Sequence, residues 1–412
     1  MRCSIADPVV VDVSVIETSR VNRCCCTVVA RRSASRRLGD WLALSAVALI
    51  AACLFGQSAN AANYTWEGTA GTAWSTGGNW LNGATPPTGS VVLFDSGSYT
   101  HQPTFNVTSS AAAVWDTGSG SVTITGSIYN LGFSDATING NSNIGIEMDG
   151  LAGNLTIAAP LILNNISEQE WLNNSSSLLT VSGNVDFNNN GPLLVISGSG
   201  NTLISGDLVG EGGLTKAGNG LLNVSGSNSY TGATSVNQGE LQVNGSLASL
   251  ITVNSGGMLA GTGSLTSVTV NPGGIFAPGD APGIMNLSGN LSLLLGARMD
   301  YRLDIPVDSD QVIMASGMLS LDGQQLSDFN FEPLGGFGPG VYTLIDADSV
   351  TGVLGSDTTG TIDGQPVSLA VFNNELVLNV APEPGTLTLL AVCAVGMVFR
   401  YRRLESQRDS VD

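Results

Sequence analysis

Three short words recur at one interval in this chain. Val236-Asn237-Gln238-Gly239, Val253-Asn254-Ser255-Gly256 and Val270-Asn271-Pro272-Gly273 are evenly spaced, since 253 − 236 and 270 − 253 both equal 17. Apolar residues follow each word: Leu241, then Met258 and Leu259, then Ile275 and Phe276. A second pattern, Gly-x-Φ-x-Φ-x-Gly, occupies 120–126, 220–226 and 239–245. Its apolar members, such as Leu222 with Val224 and Leu241 with Val243, alternate with polar residues. Alternation predicts a short strand with one buried face, and the flanking glycines supply the positive φ that a tight corner needs. A unit this short cannot bury its apolar face alone, so successive units must stack. The expected fold is therefore all-β, a parallel β-helix or solenoid. A β-sandwich is the competing arrangement. Asn237, Asn254 and Asn271 fall at matching offsets, where they either pile into a side-chain ladder or simply form turns.

Composition agrees with stacked strands and turns. Only 11% of residues are charged and 53 are Gly, whereas a soluble domain carries roughly 25% charged residues. Net charge is −19, yet seven Arg lie at or before Arg37 and four more follow Phe399. Between them stand only Lys216, Arg298 and Arg302. Such an acidic body has no basic stripe for a phosphate backbone, so nucleic acid is not an expected partner. No cysteine falls between Cys53 and Cys393, which excludes a disulfide framework or cysteine zinc site there. The run Cys24-Cys25-Cys26 has no nearby His or fourth thiol to complete a metal site.

Both ends carry targeting patterns. Basic residues from Arg31 to Arg37 precede an apolar run over 41–55, and Ala59 and Ala61 place small residues for cleavage after Ala61. This is the three-part secretory signal, with the Sec translocon as the expected partner. Residues 1–30 form an extension ahead of it. At the other end, Pro382-Glu383-Pro384 precedes an apolar run over 385–399 and then Arg400, Arg402 and Arg403. A helix of that length covers about 23 Å of a roughly 30 Å bilayer core, and arginine snorkelling extends its reach. The arginines should stay cytoplasmic, leaving the body outside.

Pro382-Glu383-Pro384, the apolar run and the arginine cluster together resemble the PEP-CTERM sorting signal. The resemblance implies an exosortase-type processing enzyme as partner and transient anchoring in the inner membrane through the C-terminal helix. The tail from Leu404 to Asp412 extends further beyond the arginine cluster than that pattern does. Residues 213–247 resemble the autotransporter-associated β-strand repeat, with Lys216, Gly218, Gly220, Tyr230, Thr231, Gly232 and Gly239 on its recurring positions. That resemblance implies a right-handed β-helical body. The chain departs from true autotransporters in that no large C-terminal barrel is expected after the repeat.

Chemistry-bearing residues are sparse. Trp66, Trp74 and Trp80 form an aromatic group read as a packed solenoid cap, with a sugar-stacking platform as the functional alternative. His101, the one His, has no evident partner for a triad. Glu147 with Asp149, Glu168 with Glu170, and Asp346 with Asp348 are carboxylates two apart, which share a strand face. Solvated edges account for them more simply than catalysis does. Asp304, Asp308 and Asp310 could hold Ca²⁺, although the run lacks the Gly and Glu of an EF-hand. Asp300, Arg302 and Asp304 combine carboxylates with a base, as a polysaccharide-cleaving site would need.

The expected organisation is an extension and signal over 1–61, a Trp-rich cap over 62–112, solenoid repeats over 113–282, final rungs and a β cap over 283–380, and a sorting and membrane segment over 381–412. Short membrane-targeting helices are expected at both ends. The function expected is that of an exported, non-catalytic envelope or extracellular-matrix protein with a structural or adhesive role. A carbohydrate-binding module, with extracellular polysaccharide as partner, and a polysaccharide-active enzyme are the alternatives. No cofactor is expected beyond the Ca²⁺ just named.

Overall fold

The computed structural model describes residues 62–106, 111–126, 131–133, 136–163, 167–188, 191–279 and 281–382. The proposed signal, Ala59 and Ala61, the tail from Glu383 onward and both expected terminal helices lie outside the described residues. No helix among the described residues is long and apolar enough to cross a membrane.

Short strands repeat in a fixed rotation around three faces. The first face is a parallel sheet of 13 strands, from Asn63–Thr65 through Thr234–Val236, Ile251–Val253 and Val268–Val270 to Ser349–Val353. The second face holds ten strands, from Val122–Ile124 to Phe329–Pro333. The third begins as a four-stranded sheet and continues, from Ser227–Asn228 onward, as a nine-stranded one. From Ala113–Asp116 onward each full turn of the chain adds one strand to each face, which is the parallel β-helix. At about 4.8 Å per strand, 12 intervals carry the first sheet through roughly 58 Å.

Side-chain alternation builds the core. On the first face Val236, Val253, Val270, Leu293 and Leu321 stack in register. On the second face Leu222, Leu241, Leu259, Phe276, Met299 and Phe329 do the same. Leu247, Leu265, Leu287 and Met314 complete the third. All of these belong to one continuous buried cluster. Corners close where the backbone needs a left-handed residue: Gly218 (φ 76°) lies over Gly198 (φ 94°), and a Cβ on Gly218 would come within 2.5 Å of the Gly198 backbone.

Register partners show how much chain each turn consumes. Leu194, Leu214 and Thr234 are evenly spaced along the sequence, and Ile251 and Val268 then follow at the shorter interval of the Val-Asn-x-Gly words. The gaps to the next partners, Leu291, Leu319 and Val350, grow at every step. The stack therefore continues past 283 although the constant spacing is gone, because extra residues enter at the corners. The expected boundary at 112 is likewise crossed by pairing, since Val91–Phe94 lies beside Ala113–Asp116.

The C-terminal end closes with a change of direction. Gly340–Asp346 pairs antiparallel with Glu375–Val380, which pairs with Gln365–Phe372, which pairs with Thr359–Ile362. Both hairpins turn through a pair of residues at positive φ, Asp363-Gly364 (47° and 77°) and Asn373-Asn374 (49° and 67°). That backbone suits the right-handed twist of the flanking strands.

Candidate functional site

The N-terminal tryptophans are internal. Trp66, Trp74 and Trp80 are 1%, 1% and 2% exposed. Trp74 and Trp80 meet edge to face at 4.7 Å, Trp66 and Trp80 at 5.0 Å, and Phe105 lies 4.4 Å from Trp74. Trp80 Nε1 donates to the Trp74 carbonyl at 2.9 Å, and Trp66 Nε1 to that of His101 at 3.1 Å. The alternative of a sugar-stacking platform finds no open ring here: a stacked sugar needs an open ring face, and these rings are spent on one another. Two residues hold the arrangement. Buried Asn79 accepts from Ala70 N–H at 2.8 Å and donates to the Ala73 carbonyl at 2.8 Å. The His101 ring binds the Gly68 carbonyl through Nδ1 at 2.8 Å. Neither Asn79 nor this structural use of His101 is expected from the sequence; the turn-forming Gly77-Gly78-Asn79 run is the available signal.

The acidic stretch after residue 300 is divided among different tasks. Asp310, 1% exposed, accepts from Arg302 N–H at 2.7 Å and from Gly283 N–H at 3.0 Å. Arg302 Nε lies 3.6 Å from the same carboxylate. Burial pushes the Asp310 carboxyl up, while these hydrogen bonds and Arg302 oppose the rise. Asp304 instead accepts from Gly336 N–H at 2.6 Å and so pins a later turn. Asp308 is exposed, with its N–H bonded to the Ile305 carbonyl at 2.9 Å. The three carboxylates do not converge on one point, and no group of three metal-ligating side chains occurs among the described residues. Arg302 is engaged with Asp310 and, at 3.5 Å, with the Gly279 carbonyl. Asp300 is raised mainly by burial.

Other carboxylates gather near the N-terminal end. Asn139 donates to Glu147 at 2.7 Å and to Asp149 at 3.4 Å. Glu170 accepts from the Ser197 hydroxyl. Asp116 is fully buried and its carboxyl is pushed up to about 7, chiefly by burial.

The asparagine ladder is formed. Asn271 Nδ2 donates to Asn254 Oδ1 at 2.6 Å, and Asn254 Nδ2 to Asn237 Oδ1 at 2.7 Å. Two positions before each lies a hydroxyl, and that rank runs on. Thr215, Ser235, Thr252, Thr269, Ser292, Ser320 and Thr351 are register partners across consecutive strands. Replacing Asn254 with Ala removes two such bonds, and a loss of about 1–2 kcal/mol is expected, read from the denaturation midpoint. An unchanged midpoint would show the ladder to be energetically idle.

Lys216 carries the repeat's least ordinary chemistry. It is 2% exposed, and Nζ donates to the carbonyls of Ala217, Gly218 and Gln238 at 3.1, 2.7 and 3.1 Å. Burial lowers its pKa to about 8, with Glu240 opposing. The ammonium thus ties a corner to the next turn, where three carbonyls would otherwise lack donors. Nearby, the Tyr230 hydroxyl meets Thr234 Oγ1 at 2.5 Å, which in turn meets Ser249 Oγ at 2.6 Å.

Comparison with known proteins matches these features. Residues 214–243 match the passenger-associated-transport-repeat, which includes Lys216, Tyr230 and Gly239. Residues 380–403 match the PEP-CTERM protein-sorting motif, which spans Pro382, Glu383, Pro384, Arg400, Arg402 and Arg403. Over 99 residues, 24% of the chain, it is 32% identical to the adhesin BmaC autotransporter of Brucella suis biovar 1 (strain 1330). The aligned segment spans only 3% of that relative's length. The chain is thus a β-helical protein with a passenger-type repeat and a PEP-CTERM sorting motif. Together these features support an exported protein of the cell surface, and the sorting motif implies processing by exosortase.

Proposed function

We propose that this protein is a non-catalytic structural or adhesive element of the cell envelope or extracellular matrix, delivered by its C-terminal motif and held only briefly in the inner membrane. One observation carries the reading. The sorting match begins at Val380, the last residue of the strand that completes the C-terminal cap. The last described strand therefore ends where the sorting match starts, and Pro382 is exposed beside it. Cleavage in the tail would release an intact β-helix with its end already closed. An adhesive role suits a body whose polar ranks repeat along a stiff core. It also agrees in kind with the adhesin to which a segment of the chain is similar.

Replacing Pro382, Glu383 and Pro384 together by Ala tests this reading in a host that carries the processing enzyme. The expected result is a chain retained in the membrane fraction with its C-terminus intact. The unaltered protein should show a new C-terminus near Pro384 in the outer or extracellular fraction, by mass spectrometry. The same mature terminus in both proteins would overturn the proposal.

A further inference from the structure

The third face of the coil bears a groove that none of the preceding roles uses. It has a volume of about 330 Å³ and crosses four consecutive turns. Its floor is built from register partners: Ser246 beside Ser264, Ser264 beside Asn286, and Asn286 beside Ile313. Positions two further along each strand also line it, among them Thr266 and Ser288.

The polar groups divide into two kinds. Thr266 and Ser288 are already committed, their hydroxyls donating to the Ser249 carbonyl at 2.7 Å and the Leu265 carbonyl at 3.2 Å. The hydroxyls of Ser246 and Ser264 and the side-chain amide of Asn286 have no protein partner among the described residues, and all three line the groove. Ala248, Ile313 and Ala315 supply apolar surface between them.

From this arrangement we propose that the groove binds a short stretch of neutral polysaccharide, laid across the strands. The chemistry narrows the choice in three steps. No charged residue among the described residues lines the groove, and the chain as a whole carries −19, so an anionic polymer gains no partner there and meets repulsion. A purely apolar ligand would leave the three free polar groups desolvated and unpaired. An extended peptide would pair along a strand edge, whereas here the recognition groups step from strand to strand at about 4.8 Å. A neutral glycan supplies hydroxyls to Ser246, Ser264 and Asn286 and C–H faces to the apolar residues. The size agrees with ligand clefts, which begin near about 300 Å³. Such a groove gives the adhesive reading a ligand class.

The test uses the full chain against cellohexaose, laminarihexaose and mannohexaose, with hexagalacturonate as the anionic comparator, by saturation-transfer NMR. At least one neutral hexasaccharide should bind. Asn286→Ala should weaken it about tenfold, and Ser264→Trp, which fills the groove, should abolish it. Thr252→Ala, on the first face, should leave binding unchanged, and all variants should melt as the parent does. Where Ser264→Trp melts early, Asn286→Ala alone decides. Binding to none of the neutral hexasaccharides, preference for hexagalacturonate, or unchanged affinity in Asn286→Ala would overturn the inference. A chain correctly cleaved at its tail that binds no saccharide would sink this inference and leave the sorting reading standing.

Discussion

Truncating Trp74 to Ala should destabilise the N-terminal end of the coil by about 4 kcal/mol. The side chain is 1% exposed and touches Trp66, Trp80 and Phe105. Its removal opens a cavity that three rigid rings cannot collapse into. In a stacked array each turn contacts only its neighbours, so the damage should remain local. Hydrogen exchange should show lost protection over 62–106, with the strands at 234–270 still protected. Uniform loss along the chain, or a cost under about 1 kcal/mol, would show that the tryptophan group does not close the first turns.

Asp116→Asn should do the opposite and stabilise the protein at neutral pH. Asp116, Met148 and Asn173 are register partners along one inward rank. Asp116 and Asn173 make the same turn, accepting from Gly118 N–H at 3.2 Å and Ser175 N–H at 2.9 Å. Asn173 then donates through Nδ2 to the carbonyls of Ser177 and Asn201 at 3.1 and 2.8 Å. The second oxygen of Asp116 has no partner among the described residues. With its carboxyl raised from 3.8 to about 7, the folded state holds a proton that the unfolded chain releases. Stability therefore falls as pH rises between those two values and levels off above about 7. The cost at neutral pH is about 4 kcal/mol at most. An amide does not ionise, so denaturant titrations of Asp116→Asn at several pH values should show higher stability near pH 7 and a shallower slope. Some slope should persist, because burial also raises Glu147, Asp300 and Asp310. Equal slopes in the two proteins would rule out Asp116 as its source.

The stack is legible in the sequence where its period is constant. Val236, Val253 and Val270 repeat without interruption because each strand lies directly on the last. Past 283 the period disappears from the sequence but not from the fold, since insertions at corners alter spacing without moving the inward ranks. The antiparallel cap is recognisable only as strand-like runs. Its topology is written in Asp363-Gly364 and Asn373-Asn374, tight turns flanked by alternating strands, a signal that lies outside the repeat period. The tryptophans are legible as a packed group, but burial of aromatic faces is a tertiary property that spacing alone cannot express. The groove on the third face is invisible for a similar reason. Ser246, Ser264 and Asn286 stand far apart along the chain and at unequal intervals, and only pairing makes them neighbours.

The steady lengthening of the turns from Val268 through Leu291 and Leu319 to Val350 carries an evolutionary implication. A coil that absorbs new sequence at its bends, while every inward side chain keeps its seat, can diversify what it displays without renegotiating how it folds. Selection can then act on protrusions one at a time, and a single ancestral unit can give rise to many surfaces.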